Sequence, residues 1–239
     1  MRESLRITFL GQAGFLFETP SGFRIGVDLY LSDCCARYFG FKRMLPYLVN
    51  PDELSLDWLI ATHAHYDHFD PDSVPRLMSC PRTRLIAARD CGAEAQRLGL
   101  ERERITYIGV GDSVRSEDAA ATAIPCDHGE LAPEAVGLLL ETAGKRIVVT
   151  GDTAFRADYF RAQAVRGADL FIMPINGAFG NMNETEAAEA VQIAESKLAV
   201  PCHYWNFAEH GGNPGLFAEE MKKRGLRYLL MRPGEELLL

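Results

Sequence analysis

Residues 62–68 read THAHYDH and close the apolar run LDWLIA at 56–61. Three of the chain's six histidines fall inside these seven positions, with Asp67 beside the last of them. His63 and His65 stand two residues apart at the end of a predicted strand, so their side chains leave on the same face. Imidazole nitrogens placed in this way can share one divalent ion at about 2.1 Å. Asp67 and His68 follow where the chain turns away and can serve a second ion. One short loop thereby offers donors to both halves of a two-metal site.

Such a site needs further donors, including a carboxylate that can bridge. Asp152, in VVTGDTAF, follows the apolar strand predicted at 146–150, and Gly151 lets the chain bend there. Alone, an aspartate at this place reads equally as a turn or helix-capping residue. His128 (AIPCDHGE) and His203 (AVPCHYWN) also follow predicted strands, and either alone reads as a hydrogen-bonded structural histidine. Together they complete a set: His63, His65 and His128 for one ion, Asp67, His68 and His203 for the other, Asp152 between. Three protein ligands and a bridge leave each ion an open position, as catalysis requires. His210, in the glycine-rich AEHGGNPG, is a rival donor that reads better as a catalytic or substrate-facing residue, and Asp127 is a spare.

Outward from this motif the chain alternates strands and helices irregularly. Strands are predicted at 5–10, 14–18, 23–28, 56–62, 84–88, 105–108, 120–125, 135–141, 146–150, 170–175, 199–202 and 227–231. Helices are predicted at 72–78, 91–98, 158–165 and 214–223. The clearest helix opens at Asn183, whose NETE start is a capping pattern, and places Ala187, Ala190, Val191, Ala194 and Leu198 on one face. Residues 29–54 are irregular and rich in aromatic and basic side chains, the character of a lid or binding loop. Strand-rich first half and alternating second half point to an α/β (α+β) class with layered sheets. No linker divides the chain, so one domain spanning 1–239 is expected.

Composition narrows the function classes. The chain has 239 residues, 47% hydrophobic and 24% charged, which are globular values. With 25 Lys and Arg against 33 Asp and Glu, its net charge of −8 disfavours nucleic acid and anionic membrane as partners. The six cysteines form no CxxC pair and read as buried small residues rather than disulfides. The N-terminus lacks the apolar run of a secretory signal, and no stretch approaches the ~20 apolar residues of a membrane span. A soluble cytoplasmic protein, with homo-oligomerisation open, is the expectation.

THAHYDH followed by His128, GDT at 151–153 and PCHYWNF at 201–207 resembles the metallo-β-lactamase superfamily. Within it, the segments at 27–33, 41–54, 62–75, 174–187 and 201–214 are most similar to the L-ascorbate-6-phosphate lactonase branch. The resemblance runs over nearly the whole chain. It implies a four-layer αββα sandwich with the metals at one edge between the sheets. It also implies that Asp28 orients a ligand histidine from behind, although by sequence alone Asp28 reads equally as a turn residue. A second ion held by Asp and His without cysteine resembles lactonases, glyoxalase II and tRNase Z rather than the main β-lactamases. His rather than Glu at position 65 separates the chain from the oxygen-reducing di-iron members.

The expected activity is hydrolysis of a small anionic substrate, a phosphorylated sugar lactone or related ester, with two divalent ions (Zn²⁺ or Mn²⁺, Fe²⁺ being tolerated by the same donors). Asp67 is placed to accept a proton, to hold metal, or both. Arg37, Lys42 and Arg43 could neutralise a phosphate or could be a solvated patch. Tyr204, Trp205 and Asn206 follow a ligand and are candidate substrate contacts, or wall packing. Asn176, in the NGAFGNMN loop, could help to bind an anion or belong to an ordinary connection. The competing readings are a phosphodiesterase acting on cyclic nucleotides or other small phosphodiesters, and a non-catalytic metal-binding regulatory protein.

Overall fold

The structure, a computed structural model, describes residues 4–239. Residues 1–3, part of the N-terminus read above, lie outside the described residues. The first sheet holds seven strands in the order β13-β1-β2-β3-β4-β5-β6. These are β1 (Arg6–Gly11), β2 (Gly14–Glu18), β3 (Arg24–Val27), β4 (Trp58–Ala61), β5 (Arg84–Ala88), β6 (Ile105–Ile108) and β13 (Glu236–Leu238). The second holds six in the order β12-β11-β10-β9-β8-β7: β7 (Ser113–Arg115), β8 (Ala119–Pro125), β9 (Val136–Thr142), β10 (Lys145–Val149), β11 (Leu170–Pro174) and β12 (Ala199–Cys202).

Alternation along the strands of the second sheet builds the layers. Leu138, Leu140, Ile147, Val149, Leu170 and Ile172 point inward and join Ile7, Phe9, Phe15 and Val27 of the first sheet in one core. Leu139, Val148, Phe171 and Met173, their neighbours in sequence, face the other way. There they meet α5 (Glu184–Ala194) through Ala187, Ala190, Val191 and Ala194, and α6 (Pro214–Lys223) through Phe217 and Met221. On the first sheet α3 (Cys91–Arg97) packs against β5. The result is the αββα sandwich. α5 begins with a capping box, in which Asn183 accepts from Thr185 and Glu186 while the Glu186 carboxylate accepts from the Asn183 amide.

Several elements differ from the sequence expectation. Residues 227–231 form no full strand: they exchange two backbone hydrogen bonds with Ala199 and then diverge. The closing strand is instead β13, which pairs with β1. Two short elements carried no signal, β7 and α1 (Cys34–Phe39). The latter starts at Asp33 with no side-chain cap and stops at Gly40 in a left-handed conformation. The helices read at 72–78 and 158–165 are shorter, α2 (Val74–Leu77) and α4 (Ala157–Arg161). All six cysteines are free thiols, four of them buried. Among the described residues no helix is long and apolar enough to cross a membrane.

Strand direction decides where the chemistry gathers. β1, β3 and β4 run the same way, as do β8, β10 and β12 in the other sheet. Their C-terminal ends lead into Gln12, Asp28 and His63 on one side, and into His128, Asp152 and His203 on the other. Backbone hydrogen bonds from Val136 to Thr62 (3.0 Å) and from His203 to Gln12 (2.7 Å) join these two edges.

Gly151 is needed for this junction. Its φ is +65°, and a Cβ there would lie 2.8 Å from the Val136 carbonyl oxygen. Gly151→Ala is expected to cost about 1–3 kcal/mol through combined strain and overlap. Thermal denaturation reads this as a Tm several degrees lower, and an unchanged Tm would show that the turn tolerates a side chain.

Candidate metal centre

Three imidazoles form the first cluster. His65 Nδ1 lies 3.0 Å from His63 Nε2 and 3.2 Å from His128 Nε2. His63 and His128 are buried, so water cannot separate the three rings. Burial and the positive charge of His68 push His63 well below its ordinary pKa, and burial lowers His128 to about 4. Ring nitrogens of three histidines therefore converge on one point, an arrangement that suits a shared cation.

The second cluster is more acidic. His68 Nε2 lies 3.4 Å from Asp152 Oδ1, 3.6 Å from Asp67 Oδ2 and 3.4 Å from His203 Nε2. His203 Nε2 lies 3.1 Å from Asp152 Oδ2 and 3.2 Å from Asp67 Oδ2. Burial alone would raise both carboxyls, but the charges of His68 and His203 outweigh it and hold Asp67 and Asp152 below the usual carboxylate range. Conversely, burial pulls His203 down while Asp152 and Asp67 hold it up, at about 9. His68 is likewise raised, by Asp152, Asp67 and Asp28 against the effect of burial.

Asp152 stands between the clusters. Its Oδ2 is also 3.9 Å from His128 Nε2 and accepts a 2.8 Å hydrogen bond from Asn181. Asp28 lies behind His68, 2.9 Å from its Nδ1, and also accepts from the Thr62 amide (2.8 Å) and hydroxyl (2.7 Å). A ring whose Nδ1–H is committed to a carboxylate presents Nε2 as its free donor atom. Among the described residues, three groupings of donor atoms lie within 4.8 Å of one another: His63, His65 and His128; His63, His68 and Asp152; and Asp67, His203 and His210. These donors fit a metal ion, since imidazoles and carboxylates suit zinc, manganese and ferrous iron alike.

His210 is closer to the donors than its glycine-rich surroundings implied. Its ring stacks on His203 at 5.2 Å, its Nδ1 is 3.4 Å from Gln12 Nε2, and its Nε2 is buried without a partner. Burial and the charge of His203 lower it to about 4. Gln12 is the residue the sequence reading missed. Its Nε2 donates to Asp67 Oδ2 at 2.7 Å and lies 2.9 Å from His203 Nε2. Nothing in GQAG marks it. Its position follows from a left-handed backbone (φ +53°) at the end of β1, a conformation that His203 (+62°) and Asp28 (+49°) share.

The expected substrate contacts are placed elsewhere. A cavity of about 440 Å³ opens above the donors, with His65, Asp67, His128, Asp152, His203 and His210 at its base. Arg37, Lys42 and Arg43 do not line it. Arg37 is paired with Asp33 and Asp72 on the surface. Arg43 spends its guanidinium on the carbonyls of Tyr30, Ser32 and Leu45 and lies over the rings of Tyr30 and Tyr47. Lys42 is exposed. Tyr204 is buried and donates to the Met231 carbonyl, Trp205 points to solvent, and Asn206 is wholly buried and does not line the cavity. Asn176 hydrogen-bonds to Ala178 in its own loop. Asp127 pairs with Arg156.

Residues 29–204 match the β-lactamase superfamily domain. Over 247 residues the chain is 30% identical to a UPF0173 metal-dependent hydrolase of Rubrobacter xylanophilus, covering 97% of this chain and 96% of that protein. It is 28% identical over 244 residues to another from Methanopyrus kandleri, covering 97% and 98%. The metallo hydrolase Igni18 of Ignicoccus hospitalis shares the fold, with a TM-score of 0.78 and 19% identity over 99% of this chain and 98% of that one. The fold and the histidine–aspartate cluster thus define a metal-dependent hydrolase. The chain belongs to the β-lactamase superfamily and, within it, to the UPF0173 metal-dependent hydrolases.

Metal uptake should be linked to protons. At pH 7 the metal-free site holds His68 and His203 protonated, because both are raised, whereas His63 and His128 are lowered and neutral. Loading is therefore expected to release about two protons at pH 7, and affinity to rise with pH as His68 and His203 deprotonate, the latter near 9. Calorimetric titration of chelator-stripped protein in buffers of different ionisation enthalpy measures this. Uptake without proton release would contradict it.

Proposed function

We propose that this chain hydrolyses a small carboxylic ester or lactone, as the resemblance to the L-ascorbate-6-phosphate lactonase branch implies, at a dinuclear centre. The supporting observation is Asp152, whose two oxygens face His68 on one side and His203 and His128 on the other. His63, His65 and His128 would hold one ion, Asp67, His68 and His203 the second, with Asp152 shared. When bound, two divalent ions supply Lewis acidity and lower the pKa of a shared water towards about 7.

The protein's own groups divide the remaining work. Asp67, ionised and tethered by Gln12, is placed to take the proton that the attacking water gives up. Gln12 donating to His210 Nδ1 leaves the ring proton on Nε2, which lacks a protein partner and can hold the departing oxygen by a hydrogen bond, while the proton taken up by Asp67 passes to that oxygen. Asp28 and Asn181 hold His68 and Asp152 in place.

A panel of lactones, simple esters, bis(p-nitrophenyl) phosphate and a β-lactam, with and without added Mn²⁺ or Zn²⁺, tests the reading. Metal-dependent opening of a lactone or ester is expected. Phosphodiester cleavage without it would favour the phosphodiesterase reading. Absence of turnover on every substrate would favour a metal-binding regulatory protein.

A further inference from the structure

The cavity above the donors has walls of one character. Phe39 and Cys35 come from α1, Phe41 from the loop after it, Tyr66 from the THAHYDH loop, Leu131 from the turn after His128, and Phe179 from the loop after β11. The rings form a continuous array: Phe39–Tyr66 5.6 Å, Phe39–Phe41 6.2 Å, Phe41–Phe179 5.8 Å, and both Phe41 and Phe179 5.0 Å from His210. These separations are those of mutually packed aromatic rings.

Among the described residues no lysine or arginine lines this space. Arg37 is committed to Asp33 and Asp72, Arg43 to backbone carbonyls and Arg156 to Asp127, while Lys42, next to Phe41 in sequence, is exposed and does not line the cavity. A phosphate on the distal part of a substrate would lose water without gaining a charge partner, which is unfavourable. Phe39 and Phe179 are 56% and 47% exposed, so large apolar groups face the opening where a polar rim would be expected. Phe179 also holds φ +55°, an unusual conformation for a bulky residue, between Gly177 and Gly180, both themselves in the left-handed region.

We infer that the substrate carries a neutral aromatic or branched apolar group beside its scissile bond, seated against Phe39, Phe41 and Phe179, and not a phosphate. The inference rests on the proposed hydrolysis for the reacting end of the molecule and on the cavity walls for the remainder. It replaces the phosphorylated sugar expected from the sequence with a substrate such as an aryl lactone or aryl-alkyl ester.

The test separates binding from turnover. Two acids present the same carboxylate to the donors and differ beyond it: 3-(2-hydroxyphenyl)propanoate, formed when dihydrocoumarin opens, and 6-phosphogluconate, formed when the phosphorylated lactone opens. Calorimetry on the metal-loaded full chain is expected to show the aromatic acid binding at least about tenfold tighter, the discrimination that burial of an added apolar group gives. Phe39→Ala and Phe179→Ala, at exposed positions that should not disturb folding, are expected to weaken the aromatic acid about 5- to 50-fold and to leave the phosphorylated one little changed. Phe179→Leu should recover part of the loss.

Equal or tighter binding of 6-phosphogluconate, failure of the aromatic acid to bind, or undiminished aromatic binding in both alanine variants overturns the inference. Turnover of dihydrocoumarin and 6-phosphogluconolactone is the second readout. A preference for the aromatic acid without turnover of either lactone sustains the inference and sinks the proposed hydrolysis. Turnover with the phosphorylated acid preferred does the reverse.

Discussion

Asp152→Asn is expected to lower kcat/KM by at least about 10³-fold, the order lost when a principal electrostatic group is removed from a closed active site. Asparagine keeps the volume and can still present an oxygen to the Asn181 amide, which now donates to Asp152 Oδ2 at 2.8 Å. It removes the shared charge between two histidine groups, and only one of its side-chain atoms can act as a donor to metal. Metal content should therefore fall below that of the wild type, while circular dichroism remains native. In the metal-free protein the same change deprives His203 and His68 of a principal source of their raised pKa, so both should titrate lower. A variant that retains full metal content and activity within tenfold of wild type would remove Asp152 from the centre.

Asp28 should give two different results depending on its replacement. Alanine leaves two buried donors without an acceptor, the Thr62 amide and His68 Nδ1–H, and leaves the Thr62 hydroxyl with only His63 Nδ1 at 3.1 Å. Breaking such a buried charged network costs about 3–5 kcal/mol. For a chain of this size that corresponds to a Tm lower by roughly 10 °C. Asparagine can still accept from Thr62, but its amide faces His68 Nδ1 with a hydrogen. The ring must then carry its proton on Nε2, the atom that faces Asp152 and Asp67. Stability should fall less than with alanine, and metal affinity should drop about 10- to 100-fold, as expected when the carboxylate behind a ligand histidine is lost. An Asp28→Asn variant that binds metal as tightly as wild type would show that the His68 tautomer does not matter.

The gathering of these donors was legible in the sequence because most of them sit at strand ends. THAHYDH, His128, Asp152 and His203 each follow an apolar run, and the directions of β4, β8, β10 and β12 bring those ends to one edge. Spacing within one loop gave His63 and His65 a common face, while joining them to His128 and His203 required the sheets. Gln12 was not legible, since a two-residue turn between strands gives no hint that its side chain folds back onto Asp67. Arg37 and Arg43 misled for a related reason. Charge and loop position mark a residue as available, but neither shows that Asp72 or the Tyr30 carbonyl has already claimed it. Asn206 follows a donor by three residues yet is wholly buried, because the left-handed turns at His203 and Trp205 redirect the chain after β12. The aromatic loop at 29–54 reads as a lid or binding loop, and its Phe39 and Phe41 line the cavity. The cavity's apolar character emerged only when Phe179 and Leu131 joined them from distant segments.

The most direct measurement is anomalous diffraction from crystals of the chain loaded with zinc or manganese, recorded at the metal absorption edge. Two peaks per chain are expected, one among His63, His65 and His128 and one among Asp67, His68 and His203, with Asp152 reaching both. A single peak, an absence of signal at saturating metal, or His128 or His203 turned away from the peaks would contradict the dinuclear centre.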